Sequence, residues 1–400
     1  MFEVLNRLPP DPILASLTAY RADMDPAKVD LGIGVYRDND GATPIPDAVK
    51  RAEAAMLGRQ RTKAYVGSIG NLEFNRACES LVLGEHHATL AAGRVCTIQS
   101  PGGCGALRLG AEIIKAAAPQ TVVYVSTPTW ANHAPLLGGS GLKLANYPYY
   151  DPASGGIHFD AMVDTLRTLP AGSAVLLHAA CHNPTGADLT DEQWRALVPL
   201  FKRGGLLPFI DMAYQGLGRG IAEDAYGIRV FAAELPELLI AVSCSKNFGL
   251  YRERAGTLHV VNSSAAVAEA TLTHLARIAR SIYSMPPDHG AAIVAQLLAE
   301  PALHASWLEE VASMRARMTR LRADFVEELH AACPRRDFSF ITRQRGMFSL
   351  LGITAAQVQA MRAEHHVYMT DDSRINIAGL RAGNIAYVAR ALSQVLGKGS

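Results

Sequence analysis

Lys246 sits in Ser-Cys-Ser-Lys-Asn-Phe-Gly over 243–249, just past an apolar run and ahead of Arg252 and Arg254. A lysine kept from water or set beside other cations has a lowered pKa and becomes a nucleophile; alone, the same residue reads equally well as a surface lysine. Ser-Pro-Gly-Gly-Cys-Gly-Ala-Leu-Arg over 100–108 opens a helix with a glycine cluster. Backbone N–H groups at a helix start, clear of side chains, suit a phosphate, although a tight strand-to-helix turn uses glycines in the same way. The segment lacks G-x-x-x-x-G-K-[ST], which argues against a nucleoside triphosphate. Leu-Leu-Pro-Phe-Ile-Asp-Met-Ala-Tyr over 206–214 ends an apolar run on Asp211, with Tyr214 three residues later. A carboxylate there is costly without a cation or hydrogen-bond donor, and capping a helix is its plainer role. His-Ala-Ala-Cys-His-Asn-Pro-Thr-Gly over 178–186 sets polar residues, Asn183 among them, behind another apolar run; Asn-Pro there makes a turn, with a cis proline as one form of it.

Taken together, the four segments offer a phosphate cradle, an amine, an acid, a tyrosine and an asparagine at one edge of one sheet. Pyridoxal 5'-phosphate (PLP) requires that set: donors for its phosphate, a lysine for its aldehyde, and an acid to keep its ring nitrogen protonated.

The elements that must position these groups are legible as seven short apolar runs, at 94–99, 121–126, 143–149, 174–179, 206–211, 238–243 and 257–261. Most are apolar on successive residues, the pattern of strands buried on both faces of a mainly parallel sheet. The gaps leave room for crossover helices, such as 106–118 and 191–203, so the fold class is α/β with one large sheet domain. Over 304–330, Trp307, Val311, Met314, Met318, Leu321, Phe325 and Leu329 recur at spacings of three and four, which predicts a long amphipathic helix linking two domains. The expected division is an N-terminal segment (1–42) shared with a small domain, a large domain (43–313) and a small C-terminal domain (314–400).

The 38 basic and 37 acidic residues leave no surplus to recruit nucleic acid. The six cysteines show no paired spacing and read as reduced thiols, not as a disulfide frame or a metal site. The N-terminus has no basic-flanked apolar core, and no apolar run approaches the roughly 18–20 residues of a membrane span. A cytoplasmic enzyme is expected.

With these motifs in order, the chain resembles the aspartate and aromatic amino-acid aminotransferases, class I of the fold-type I PLP enzymes. The resemblance is nearly collinear, from Leu-Gly-Ile-Gly-Val-Tyr over 31–36 to Ser-Arg-Ile-Asn-Ile-Ala-Gly over 373–379. It implies a large domain with a seven-stranded sheet, a smaller α/β domain, PLP as cofactor, and a homodimer with its active sites at the subunit interface. It implies that Lys246 carries the cofactor and moves the proton, that Asp211 pairs with the ring nitrogen, and that Tyr214 and Asn183 bond the ring's phenolic oxygen. Trp130, in Pro-Thr-Trp-Ala-Asn-His over 128–133, stacks on the ring, while Gly103, Cys104, Ser243 and Arg254 hold the phosphate. Tyr65 reaches the phosphate of a neighbouring subunit, and His133 and His178 support Trp130 and Asp211. Arg374 binds the substrate α-carboxylate with help from the backbone at Gly34, and Arg280 binds a side-chain carboxylate from across the dimer.

Three positions depart from the dicarboxylate pattern. Cys104 replaces a hydroxyl residue and is a weaker hydrogen bonder, Met285 replaces Asn or Ser, and Ala64 replaces Asn. All three remove polarity near cofactor or substrate. Val35, Arg37 and Thr43 look like the aspartate type, whereas Ala-Asp-Leu-Thr over 187–190 and Gln-Arg-Gly-Met-Phe-Ser over 344–349 look like the aromatic members. The expected activity is therefore dual: aromatic amino acids in one half-reaction and glutamate/2-oxoglutarate in the other. A strict aspartate aminotransferase is the nearest alternative. A PLP lyase and a PLP-binding regulator are the others, and the regulator lacks a basic segment to bind DNA.

Overall fold

The computed structural model describes residues 1–8 and 12–397. The chain divides into two compact units: Pro44–Asn183 with Ala187–Arg317, and Met1–Thr43 with Pro184–Gly186 and Met318–Ser400.

The main sheet of the larger unit has seven strands: β1 (Val95–Pro101), β2 (Val122–Thr127), β3 (Lys143–Pro148), β4 (Ala174–His178), β5 (Leu207–Met212), β6 (Leu238–Ser243) and β7 (Ala255–Val261). They correspond to the seven apolar runs, within a residue or two at most ends. Their order in the sheet is β1–β7–β6–β5–β4–β2–β3. All pairs are parallel except those of β7, which runs antiparallel to both β1 and β6. The unbroken apolar runs follow from burial on both faces. Val175, Leu177, Ile210, Ile240 and Val242 pack on one side with Trp194 and Phe231. Ala174, Leu176, Phe209, Leu239 and Ala241 pack on the other with Leu107, Ile114 and Leu275.

This topology gathers the chemistry. Parallel strands end together, so His178 lies opposite Asp211 in register, and β6 ends on Ser243 beside them. The returning β7 pairs Gly256 with both Ser243 and Ser100, which brings the glycine segment alongside the Lys246 loop. Asp211 lies within β5 and caps no helix. The cis peptide among the described residues is Thr127–Pro128, not Asn183–Pro184.

The expected amphipathic helix spans Pro301–Ala332, and its seven-residue apolar stripe is buried. In the smaller unit, Val29–Asp30 pairs with Val367–Tyr368, and Phe348–Leu350 pairs with Arg374–Asn376. Among the described residues no helix is long and apolar enough to cross a membrane, and all six cysteines are free thiols.

Beside the first of these strand pairs, His366 bonds Asp23 Oδ2 through Nδ1 at 2.8 Å and lies 3.4 Å from Asp25 through Nε2. The Tyr368 hydroxyl donates to the same Asp23 oxygen at 2.7 Å. The backbone N–H of Asp25, then Tyr368 and His366, hold Asp23 down at about 2. The bond to Asp23 raises His366 above its ordinary 6.5. Because the folded His366 is the stronger base, its contribution to stability is complete below 6.5 and disappears as pH rises through the raised value. A His366→Gln variant should therefore melt about 2 °C below the parent near pH 6 and match it near pH 9. Calorimetry at the two pH values checks this, and an equal deficit at both would contradict it.

Candidate active site

Lys246 follows β6 and projects its ammonium 5.2 Å from the centroid of the Tyr214 ring. Burial pulls this amine below the ordinary lysine range and Arg254 adds to the effect, against opposition from Asp211 and Cys104. A larger fraction of neutral, nucleophilic amine at working pH is the consequence.

Asp211 is 8% exposed at the end of β5. Its Oδ2 lies 3.1 Å from His133 Nε2. Behind it runs a chain of polar contacts: His133 Nδ1 to Thr129 Oγ1 at 2.7 Å, Thr129 Oγ1 to His178 Nε2 at 3.2 Å, and the Asn183 N–H to His178 Nδ1 at 3.4 Å. One set of tautomers satisfies every member. The Asn183 N–H donates to His178 Nδ1, His178 Nε2–H to Thr129, the Thr129 hydroxyl to His133 Nδ1, and His133 Nε2–H to Asp211. Burial pushes His178 down to about 3, so it is neutral and relays a hydrogen bond without charge. Burial would raise Asp211, yet the His133 bond and the nearby Lys246 outweigh it, and the carboxyl lies below its usual range. Asp211 is thus a fixed anion, held by His133 and facing the nearby Lys246.

Residues that sequence reasoning missed lie just behind. Thr129 is the hinge of the relay, and its adjacency to Trp130 was the available signal. His182 stacks on Tyr149, with centroids 4.2 Å apart, and lies 3.0 Å from Ser126 Oγ. Asp188 accepts the N–H groups of Cys181 and His182, each at 2.8 Å. That bond pair fixes the loop presenting Asn183, where Cys181 adopts a φ of 56°. Trp130 meets His133 edge-on with centroids 5.3 Å apart.

The glycine segment forms a cradle. Helix Gly102–Ala117 begins without a side-chain cap, which leaves its first N–H groups for an anion. A Cβ on Gly102 (φ +68°) would sit 2.5 Å from Arg254 Nη2, and one on Gly256 would sit 2.6 Å from Gly102 C. Only glycines admit that approach. Ser243 packs against Gly103, whose added Cβ would lie 3.0 Å from Ser243 Cβ. Arg254 is braced by Ser245 Oγ at 3.3 Å and the Tyr251 carbonyl at 3.0 Å. Asn132 Nδ2 donates to Cys104 Sγ at 3.9 Å. An uncapped helix start, an arginine and a serine suit a dianionic phosphate; a softened lysine suits an aldehyde; and a fixed buried carboxylate suits a protonated ring nitrogen. The donor set fits PLP. Among the described residues no cluster has the makings of a metal site.

The structure thus brings together Lys246, Asp211, Tyr214, Asn183, Trp130, Gly103, Cys104, Ser243 and Arg254 in the larger unit. Tyr65 is 92% exposed, and the exposed Arg280 bonds Ser284 Oγ. In the smaller unit Arg374 is 4% exposed. It donates to the Gly32 carbonyl at 2.9 Å and lies 4.4 Å over the Phe348 ring. The same ring leaves no room for a side chain at Gly34, where a Cβ would approach within 2.8 Å.

Residues 26–392 match the family model for class I and II aminotransferases. The tyrosine aminotransferase of Rhizobium meliloti is 46% identical over 97% of this chain and 98% of its own length. The aspartate aminotransferase of Escherichia coli is 43% identical over 99% and 100%. Among solved structures, the aromatic-amino-acid aminotransferase from Burkholderia pseudomallei, covalently bound to pyridoxal phosphate, superposes with a TM-score of 0.96 at 43% identity, covering 99% of both chains. The cytoplasmic aspartate aminotransferase of Saccharomyces cerevisiae gives a TM-score of 0.97 at 34% identity, covering 100% of this chain and 99% of that one.

Proposed function

This chain belongs to the class I and II aminotransferases, and from that premise we propose that it transaminates aromatic L-amino acids with 2-oxoglutarate as the acceptor. Tyrosine and phenylalanine are the intended donors, tryptophan or a modified aromatic side chain fits the same description, and aspartate is accepted as well. PLP is the cofactor. When bound, it withdraws electrons from the substrate Cα and makes its proton removable.

The residues of this chain do the rest. Asp211, anionic and bonded to His133, keeps a proton on the ring nitrogen. Lys246 would anchor the cofactor and, once released from it by substrate, would carry the proton taken from the substrate Cα. Tyr214 and Asn183 hold the ring oxygen, and Trp130 covers the ring face. The N–H groups of Gly103 and Cys104, with Ser243 and Arg254, hold the phosphate. Arg374 grips the α-carboxylate as a planar fork, with the Gly34 backbone beside it. Tyr65 and Arg280 complete the site of a second copy, a homodimeric arrangement that their surface positions support. A cytoplasmic location accords with the free thiols.

The observation that carries the dual reading is the coexistence in one sequence of Arg280, a cation for side-chain carboxylates, with Met285, Ala64 and Cys104, which are less polar than the dicarboxylate pattern at those positions. A pocket without polar groups left unsatisfied admits a ring at little cost. Relatives divided between tyrosine and aspartate aminotransferases support it equally. Incubation with phenylalanine and 2-oxoglutarate should yield phenylpyruvate and glutamate in equal amounts. Absence of phenylpyruvate would overturn the aromatic half and leave the dicarboxylate-specific alternative.

A further inference from the structure

Gln99 lies in β1, one residue before the phosphate cradle, and is 0% exposed. A carboxamide so placed must satisfy both its donor and its acceptor inside the protein. Its Oε1 accepts the Asn71 N–H at 2.8 Å, and its Nε2 donates to the Pro287 carbonyl at 2.7 Å. Its backbone N–H donates to the Ile69 carbonyl at 3.0 Å. Gly70 (φ +85°) lets the 69–71 backbone press on this side chain; a Cβ there would fall 2.4 Å from Gln99 Cβ.

Two further bonds join the same two loops. Ser68 Oγ donates to the Ser284 carbonyl at 2.9 Å, and Asn71 Nδ2 donates to Asp288 Oδ1 at 3.0 Å. Asn71 Oδ1 meanwhile caps helix Leu72–Leu83 through the N–H groups of Glu73 and Phe74. Ser284 holds a left-handed φ of 68°, and its hydroxyl accepts from the Arg280 guanidinium. The loop that begins at Tyr65 and the turn that follows Arg280 are therefore fastened to each other and to the strand that carries the cradle.

The geometry points to Gln99 as a positioning residue that fixes Tyr65 and Arg280 relative to one another, so that phosphate anchoring and side-chain carboxylate recognition in the second copy depend on one buried amide. The inference rests on the roles given to Tyr65 and Arg280 above. Gln99 acts only through the two loops, by holding their backbones in register.

Gln99→Met, close in shape, removes both side-chain bonds. Ser68→Ala removes a bond of the same clasp from a half-buried site and spares the interior. On each purified holoenzyme, kcat/KM is measured for aspartate and for phenylalanine with 2-oxoglutarate, and cofactor release is followed by absorbance after gel filtration. Gln99→Met should lower the aspartate value about tenfold more than the phenylalanine value and speed cofactor release about tenfold. Ser68→Ala should move both readouts the same way by smaller factors. A simple loss of packing would depress both amino acids alike. Arg280→Ala and Tyr65→Phe serve as references: the first should lower aspartate selectively and the second should speed release. If the references respond and both clasp variants leave the substrate ratio and the release rate unchanged, or depress both amino acids equally, Gln99 has no such role. If the references do not respond, the roles of Arg280 and Tyr65 fall and the inference falls with them.

Discussion

Replacing Lys246 by alanine should lower turnover of phenylalanine with 2-oxoglutarate by roughly 10⁴-fold, the upper range for loss of a positioned proton carrier. The size follows from the surroundings. Asp211 is an anion held below the ordinary carboxylate range, too weak a base to take a carbon-bound proton. His178 is locked in the relay and resists protonation down to about 3. Tyr214 faces Lys246 across its ring, and in its proposed role its phenol would already be engaged by the cofactor oxygen. Only Lys246 combines a basic nitrogen, a long flexible stem and a lowered pKa. Lys246→Arg should fail almost as badly, because a guanidinium stays protonated and gives up no lone pair. Initial rates with purified variants check this. A Lys246→Ala enzyme within tenfold of the parent would remove Lys246 from the chemistry.

Asp211→Ala should cost roughly 10³-fold in kcat, comparable to removing one fixed electrostatic partner of a developing charge. The carboxylate is buried, and its pKa lies below 3.8. It is therefore charged across the whole working pH range, and a proton on the ring nitrogen has a constant partner. Asp211→Ala would leave a bound ring nitrogen without an anionic partner, so the electron withdrawal the cofactor would supply near neutrality should weaken. The variant should fold, since His133 Nε2–H can turn to water in the vacated space. Asp211→Glu should recover part of the loss, and Asp211→Asn little, because an amide cannot balance a cation. A loss under tenfold in Asp211→Ala, measured at saturating cofactor, would contradict the ion-pair role.

The large-unit sheet was legible because its central strands are buried on both faces, and nothing polar interrupts Ala174–His178 or Leu238–Ser243 before their functional ends. Asp211, Asn183 and Lys246 stood out for the same reason, as polar residues directly behind apolar runs. The smaller unit was less legible. Its strands are two or three residues long, too short for any periodicity to show, and only the collinear resemblance located Arg374 and Gly34. The relay through Thr129 and His178 was partly hidden because it joins residues 49 positions apart. The Gln99 clasp was invisible: a glutamine at the end of an apolar run looks like the strand's edge, and its two side-chain bonds reach 28 residues back and 188 forward. The cis bond at Thr127–Pro128 gave no sign in the sequence, because it follows a strand without a turn residue ahead of it.

Substrate choice is where a few side chains decide most. In the proposed reading Arg280 would favour a carboxylate and Met285, Ala64 and Cys104 an apolar ring, and differences of this kind amount to about 1–3 kcal/mol each. The most direct test is kcat/KM for phenylalanine, tyrosine and aspartate on one preparation, at saturating 2-oxoglutarate. Dual recognition predicts three values within about a hundredfold of one another. Aspartate exceeding both aromatics by about a thousandfold would contradict it.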